Sequence, residues 1–297
     1  MSELNIHDFI ENYPLQNDED IQWKTSCRRE FNLLKSSKNK ISKTGRFFNH
    51  QELILRYTRQ YDRIFNIHGT GTGKSGSIIN IAEYYKKNEN MKRVYVLEPG
   101  PPTVDDFKKQ IIKLSNPDDY MNTKIQKSTN QKSLKNNLTR IIQTWYSVET
   151  YNNFVSLNLS DEEIEETYSD CIFFFDEAHK YKTLDDDSSG KSKVYDYLWK
   201  VTHIAKRTKI IISSATPMIN GTKDFVPLLN FLLPANYQLP VKVDDNFYDK
   251  VTLAQLEPFF RGKITFIKFL ESNINIVREG RIYDNYVHHI EFPETAN

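Results

Sequence analysis

Three apolar runs punctuate the chain, and each gives way at once to small or charged residues. Arg63-Ile64-Phe65-Asn66-Ile67-His68 leads into three glycines at alternate positions, Gly69, Gly71 and Gly73. Cys171-Ile172-Phe173-Phe174-Phe175 leads into Asp176-Glu177, and Lys209-Ile210-Ile211-Ile212-Ser213 into Ser214-Ala215-Thr216-Pro217. Such runs predict strands buried on both faces, as a parallel sheet requires. Between them the period changes to that of a helix. Ile78, Ile79, Ile81, Ala82 and Tyr85 share one side of a helix expected from Ser75 to Asn88. Alternating strands and helices define an α/β domain, a mostly parallel sheet with helices on both faces.

The remaining elements follow the same logic. A helix carrying Gln51, Leu53, Ile54 and Tyr57 precedes the first strand. A strand is expected over Arg93 to Leu97, ending at Glu98-Pro99-Gly100-Pro101-Pro102, and a helix over Val104 to Leu114. Residues 117–132 are rich in loop formers. Ile141 to Trp145 suggests a strand running into a helix near Ser147, and Lys193 to Ala205 a helix after a polar loop at 185–192. Leu253 to Phe260 suggests a short helix, and Lys263 to Phe269 a strand or a helix. Three regions result: a polar appendage over 1–45 with one helix near Trp23 to Leu34, a nucleotide-binding domain over 46–235, and an extension over 236–297.

Bulk properties narrow the class. The 297 residues are 38% hydrophobic and 27% charged, which fits a globular domain. No apolar run approaches the roughly 18 residues of a membrane span, and the N-terminus lacks a secretory core. Cys27 and Cys171 lie far apart, which suggests an intracellular, reducing home. The net charge of +1 averages over patches. Lys24, Arg28, Arg29, Lys35, Lys38, Lys40, Lys43 and Arg46 face a single acid, Glu30, in their stretch. A second basic region runs from Lys108 to Lys135, offset by Asp161 to Glu166 and Asp185 to Asp187. Such runs are either solvated faces or contacts to phosphates, whose affinity would fall with salt.

The candidate chemistry sits at the strand ends. Glycines let the backbone approach a phosphate closely, and loop N–H groups with a helix N-terminus face the anion. The segment Gly69-Thr70-Gly71-Thr72-Gly73-Lys74-Ser75 therefore reads as an ATP phosphate cradle. Lys74 would reach the β- and γ-phosphates and the Ser75 hydroxyl would ligate Mg²⁺. His68 stands where the strict phosphate-loop pattern has its first glycine; Gly69 and Gly71 are the candidates for the turn. Asp176, at the carboxyl end of a buried strand, would hold Mg²⁺ through water, and Glu177 would polarise the attacking water. Short hydroxyl side chains at Ser214 and Thr216 could bridge the nucleotide site to a neighbouring surface.

These motifs resemble those of superfamily 2 helicases and translocases. Gly71-Thr72-Gly73-Lys74-Ser75 is similar to motif I, Asp176-Glu177-Ala178-His179 to the DEAH form of motif II, and Ser214-Ala215-Thr216-Pro217 to motif III. Asn49-His50-Gln51 looks like the glutamine motif that reads adenine, and Asn220 fits the Thr-Pro-x-x-Asn pattern of Swi2/Snf2-type translocases. More narrowly, the chain resembles the nucleoside triphosphatase I and the small early-transcription-factor subunit of large DNA viruses. That likeness rests on His68 to Lys74, on Ser214 to Pro234 and on Phe260-Arg261-Gly262-Lys263-Ile264.

The resemblance implies a RecA-like P-loop domain acting on ATP with Mg²⁺, and DNA or RNA as partner. It implies a loop after the second strand that touches the nucleic-acid backbone, and His179, Ser214, Ala215 and Thr216 as coupling residues. Transcription machinery is an implied partner, and a virion or viral factory an implied location. The family motor has two RecA-like domains, and arginines of the second complete the site. After Thr216 no second set of motifs appears, and Gly280-Arg281 does not reproduce the Gln-x-x-Gly-Arg-x-x-Arg pattern. The expectation is therefore the first domain of a motor, served by a second domain in cis or in trans. Two other classes stay open: an ATP-binding interaction module with little turnover, and a small-molecule kinase.

Overall fold

The computed structural model describes residues 47–88, 90–115, 140, 142–181, 191–218, 221–241, 243 and 247–267. The expected appendage over 1–45, Cys27, Asn220, Gly280-Arg281 and the acidic loop at 185–187 lie outside the described residues.

Six strands form one sheet, every pair of neighbours parallel: β1 (Arg63–His68), β2 (Arg93–Glu98), β3 (Tyr146–Thr150), β4 (Cys171–Asp176), β5 (Lys209–Ser214) and β6 (Ile264–Ile267), in the order β3-β2-β4-β5-β1-β6. Because all strands run the same way, the carboxyl ends of β1, β2, β4 and β5 share one edge. The glycine loop, Asp176-Glu177 and Ser214-Ala215-Thr216 are thus brought to that edge by topology alone.

The side-chain alternation of the strands divides the core in two. Phe65, Leu97, Phe173, Phe175, Ile210 and Ile212 face one layer, with α4 (Tyr151–Ser156), α5 (Asp161–Tyr168), α6 (Lys191–Ile204), α7 (Val226–Asn230) and α8 (Leu253–Phe260) packed on it. Val94, Val96, Ile172, Phe174 and Ile211 face the other, under α1 (Asn49–Thr58), α2 (Lys74–Asn88) and α3 (Pro101–Leu114). Phe173, Phe174 and Phe175 are all fully buried, because β4 is covered on both faces. Each such side chain contributes about 1.5–3 kcal/mol. The expected apolar side of α2 is the buried one: Ile78, Ile79, Ile81, Ala82 and Tyr85 are at most 1% exposed. The architecture is the expected α/β class, a parallel sheet with helices on both faces.

Several local expectations shift. Helix α3 starts at Pro101, not Val104, since prolines fit a first turn whose N–H groups need no intrahelical acceptor. The strand expected at Ile141 to Trp145 is displaced. Residues 142–145 form a helical turn that buries Ile142 and Trp145, spaced three apart, and β3 occupies Tyr146–Thr150 as a half-buried edge. The acidic run from Asp161 is helix α5. Ser160 caps it by accepting from Glu163 N–H at 3.3 Å, and Ile164 and Tyr168 share its buried face. In the segment after 235, Leu239, Tyr248, Leu256 and Phe259 join the core, and β6 extends the sheet beyond β1.

Candidate functional site

The loop between β1 and α2 turns on two left-handed glycines, Gly71 (φ 78°) and Gly73 (φ 77°). Gly69 is not one of them. Its N–H donates to Ile267 O at 2.9 Å, continuing the β1–β6 pairing, and its carbonyl accepts the Thr72 hydroxyl at 2.8 Å. Gly71 and Gly73, rather than Gly69 and Gly71, therefore make the turn. Thr70 is exposed and Thr72 buried.

Helix α1 holds this loop from outside. Gln51 donates from Nε2 to Gly73 O at 2.9 Å and accepts Phe48 N–H on Oε1 at 2.8 Å. A Cβ at Gly73 or at Gly76 would lie 2.6 Å from Gln51 Nε2, so a side chain at either position would displace the Gln51 amide from the loop. His50 Nε2 stands 2.7 Å from Thr72 O. Gln51 is 4% exposed, and both ends of its amide are engaged within the protein.

Lys74 opens α2, and its Nζ crosses to the end of β4. It lies 3.2 Å from Glu177 Oε1 and donates to His68 O at 3.4 Å. Ser75 follows, half-buried, in the first turn of the helix.

Strand β4 ends at Asp176, and the chain turns sharply at Glu177, whose φ of 48° is left-handed for a residue with a Cβ. That conformation costs roughly 1–2 kcal/mol. It is offset by the Glu177 N–H bond to Ser213 O at 2.8 Å and by Lys180 N–H donating to Glu177 O at 3.1 Å. The turn aims the carboxylate across the edge at Lys74 and His179, whose Nδ1 stands 3.2 Å from Oε2. Ser214 joins them: its Oγ is 2.9 Å from His179 Nδ1, donates to Glu177 Oε2 at 3.4 Å, and accepts Thr216 N–H at 3.1 Å. Ala215 is half-buried and Thr216 exposed beside them.

The electrostatics separate the acids. Burial works to raise Glu177, but His179 and Lys74 outweigh it and hold the carboxyl down at about 2. Burial and the charge of Glu177 push Asp176 up to about 6. Asp176 Oδ1 is buried and has no hydrogen-bond partner among the described residues. Such an oxygen suits a cation, and together with the Ser75 hydroxyl it supplies the hard oxygen ligands that Mg²⁺ takes.

Two residues near this edge were not singled out from sequence. Glu98 ends β2 beside Asp176, is 3% exposed, and is pushed up to about 8 by burial and by the Asp176 charge. An acid closing an apolar strand was the available signal, the same one that marks Asp176. Tyr151 donates its hydroxyl to Asp176 O at 2.8 Å and is fully buried; nothing in its local sequence announces that reach.

The site is thus a glycine loop and lysine facing an Asp-Glu pair at the carboxyl edge of a parallel α/β sheet. Residues 30–219 match the model of the family described as Type III restriction enzyme, res subunit, and the chain belongs to that family. It is 25% identical over 245 residues to the Invertebrate iridescent virus 3 protein named "Putative helicase 087L", covering 76% of this chain and 23% of that protein. It is 24% identical over 281 residues to the Acanthamoeba polyphaga mimivirus protein named "Putative ATP-dependent RNA helicase L377", covering 76% and 24%. The chain therefore spans about a quarter of the length of these relatives. A crystal structure of the Pyrococcus furiosus Hef helicase domain aligns at a TM-score of 0.41 and 18% identity, over 62% of this chain and 35% of that one.

Proposed function

We propose that this chain is the ATP-binding first motor domain of a nucleic-acid-dependent ATPase of the superfamily 2 helicase type, with Asp176-Glu177-Ala178-His179 as its DEAH box. The observation that carries the reading is the Lys74–Glu177 approach of 3.2 Å, next to the buried Oδ1 of Asp176, which has no hydrogen-bond partner among the described residues. A lysine at the start of a helix, glycine-loop N–H groups and two acids of opposite electrostatic character meet where a triphosphate would lie. The names of the viral relatives, helicases in both cases, support the same assignment.

In this reading the loop N–H groups and Lys74 bind the phosphates, and Ser75 and Asp176 hold Mg²⁺, which would neutralise charge on the phosphate oxygens. Glu177 orients the attacking water. In the nucleotide-free protein His179 and Lys74 hold its carboxyl down, which keeps it ready to accept a hydrogen bond. Gln51 supports the nucleotide site through the phosphate loop it holds. His179, Ser214, Ala215 and Thr216 couple the site to its surroundings, since one hydroxyl, that of Ser214, bonds to Glu177 and to Thr216 alike.

A second RecA-like domain, in cis or in trans, would add the arginines that stabilise phosphoryl transfer, a contribution of about 10³–10⁵ in rate. DNA or RNA is the proposed partner. Viral-type transcription or DNA remodelling inside the cell, in a virion or in a viral factory, is the proposed setting. Calorimetry of Mg-ATP on purified residues 1–297, followed by steady-state ATPase with DNA, with RNA and with an added second domain, tests this. Tight Mg-ATP binding with turnover restored by the second domain supports the motor. Absence of ATP binding overturns it. Binding that never leads to turnover would make the chain an interaction module.

A further inference from the structure

Strands β4 and β5 run side by side with Asp176 and Ser213 as register partners, so the two side chains leave the sheet on the same face. Glu98 follows Leu97, the partner of Phe175, and so stands level with Asp176 on its other side. Asn66 pairs with Ser213 and also with Thr265. A row of polar residues thus crosses five strands of the sheet: Glu98, Asp176, Ser213, Asn66, Thr265.

The outer end of this row is satisfied. The Thr265 hydroxyl donates to Asn66 Oδ1 at 2.9 Å, and His68 Nε2 lies 3.0 Å from the same hydroxyl. The inner part is not. Ser213 is 1% exposed, yet its Oγ has no hydrogen-bond partner among the described residues, and neither has Asp176 Oδ1 on the adjacent strand. A buried polar group without a partner costs about 1–3 kcal/mol. The three residues before Ser213 are isoleucines. Were the position only packing, an aliphatic side chain would serve at no such cost. An unmatched donor stands in register with an unmatched acceptor.

We propose that Ser213 is a positioning residue for the divalent cation: its hydroxyl donates to the Asp176 carboxylate, directly or through one water, and fixes that carboxylate when the metal–nucleotide complex is bound. The inference rests on the reading of Asp176 as a metal-holding residue. It concerns the gain in nucleotide affinity that the metal brings, because the Ser213 hydroxyl is proposed to act on the Asp176 carboxylate. Second-sphere partners of this kind carry about ten- to a hundredfold in metal affinity.

The experiment is calorimetric titration of the full 297-residue chain with ATP, once with EDTA and once with Mg²⁺, and again with Mn²⁺, beside thermal unfolding without nucleotide. In the parent protein, added metal should tighten ATP binding. Ser213→Ala should lose about tenfold of that gain. Its metal-free ATP affinity should be unchanged and its unfolding temperature equal or higher, since an unpaired buried hydroxyl has been removed. Ser213→Thr should keep the gain, and Ser213→Cys, near in size but a weak donor, should lose it; the cysteine variant serves if the alanine variant does not fold. Ser213→Ala retaining the full gain overturns the inference. So does an equal loss with and without metal, or a lowered unfolding temperature, either of which marks a packing role. A parent protein that binds no ATP overturns the proposed function itself. A parent that binds ATP with no gain from metal overturns the metal role of Asp176, and the role of Ser213 with it.

Discussion

Lys74 Nζ lies 3.2 Å from Glu177 Oε1, joining the first residue of α2 to the turn after β4 across the intervening strand β5. The pairing gives Lys74 two duties: it offers a positive charge to the phosphates, and it helps to keep the Glu177 carboxylate ionised.

Lys74→Ala should weaken ATP binding by roughly ten- to a hundredfold, the worth of a hydrogen bond to a charged group at about 1.5–3 kcal/mol. The fold should survive, because the side chain reaches along the sheet edge rather than into either core layer. Calorimetry with circular dichroism on the same sample checks both halves. Unchanged ATP affinity in the folded variant would sink the assignment of Lys74.

Asp176→Ala and Glu177→Gln should part company. The first should abolish the contribution of Mg²⁺ to nucleotide binding. The second keeps the shape and removes the charge, so Mg-ATP should still bind while hydrolysis falls in the motor completed by its second domain. The chain of 297 residues alone should hydrolyse Mg-ATP very slowly, with little response to DNA or RNA. Turnover of several per second by the lone chain would show that this domain closes its own site.

Gly73→Ala should damage the loop more than Gly71→Ala. Both glycines have left-handed φ, so each substitution carries strain of about 1 kcal/mol. At Gly71 a Cβ meets nothing within 4 Å, whereas at Gly73 it meets Gln51 Nε2 at 2.6 Å and displaces the clamp from α1. ATP affinity and urea midpoint, compared between the two variants, should fall further for Gly73→Ala. Equal effects would mean that the Gln51 contact is immaterial.

His68 should make the protein sensitive to acid. Burial first, then the charges of His50 and Lys74, hold it down at about 3, against 6.5 for an exposed histidine. Between those values the unfolded chain binds the proton and the folded one does not. This contribution to stability is therefore full above pH 6.5 and is lost as pH falls toward 3. The slope is at most about 1.4 kcal/mol per pH unit. Glu98 and Asp176, both held up, act with the opposite sign. The informative quantity is the difference between the parent and His68→Gln in urea midpoint from pH 7 to 5. The parent should lose stability relative to the variant on acidification; parallel curves would contradict the buried neutral histidine.

Much of this domain was legible in the chain because its strands carry their own signal. A strand covered on both faces must be apolar throughout, so Cys171 to Phe175 could be little else, and the acid that follows it falls at the ligand edge of a parallel sheet. The central strands and the helix after the glycine loop come out where the pattern puts them. Weaker signals failed where burial is one-sided. The edge strand Tyr146–Thr150 is half-exposed, and the apolar pair Ile142 and Trp145 beside it belongs to a helical turn. Helix α5 looked like a charge run because only Ile164 and Tyr168 of its residues are buried.

The sequence by itself determined the α/β class, the order of the motifs and which residue types stand at the strand ends, since periodicity and turn chemistry are local properties. It could not decide which strands are neighbours. That β5 lies between β1 and β4, that Glu98 comes level with Asp176, and that Ser213 stands opposite it follow from register, which is set by packing the two core layers. It could not show that Gln51 fills the space beside Gly73 and Gly76, or that Lys74 reaches Glu177, for these contacts join residues far apart in the chain. Only the tertiary structure decided them, by burying the acids to different degrees and placing one, Glu177, between Lys74 and His179.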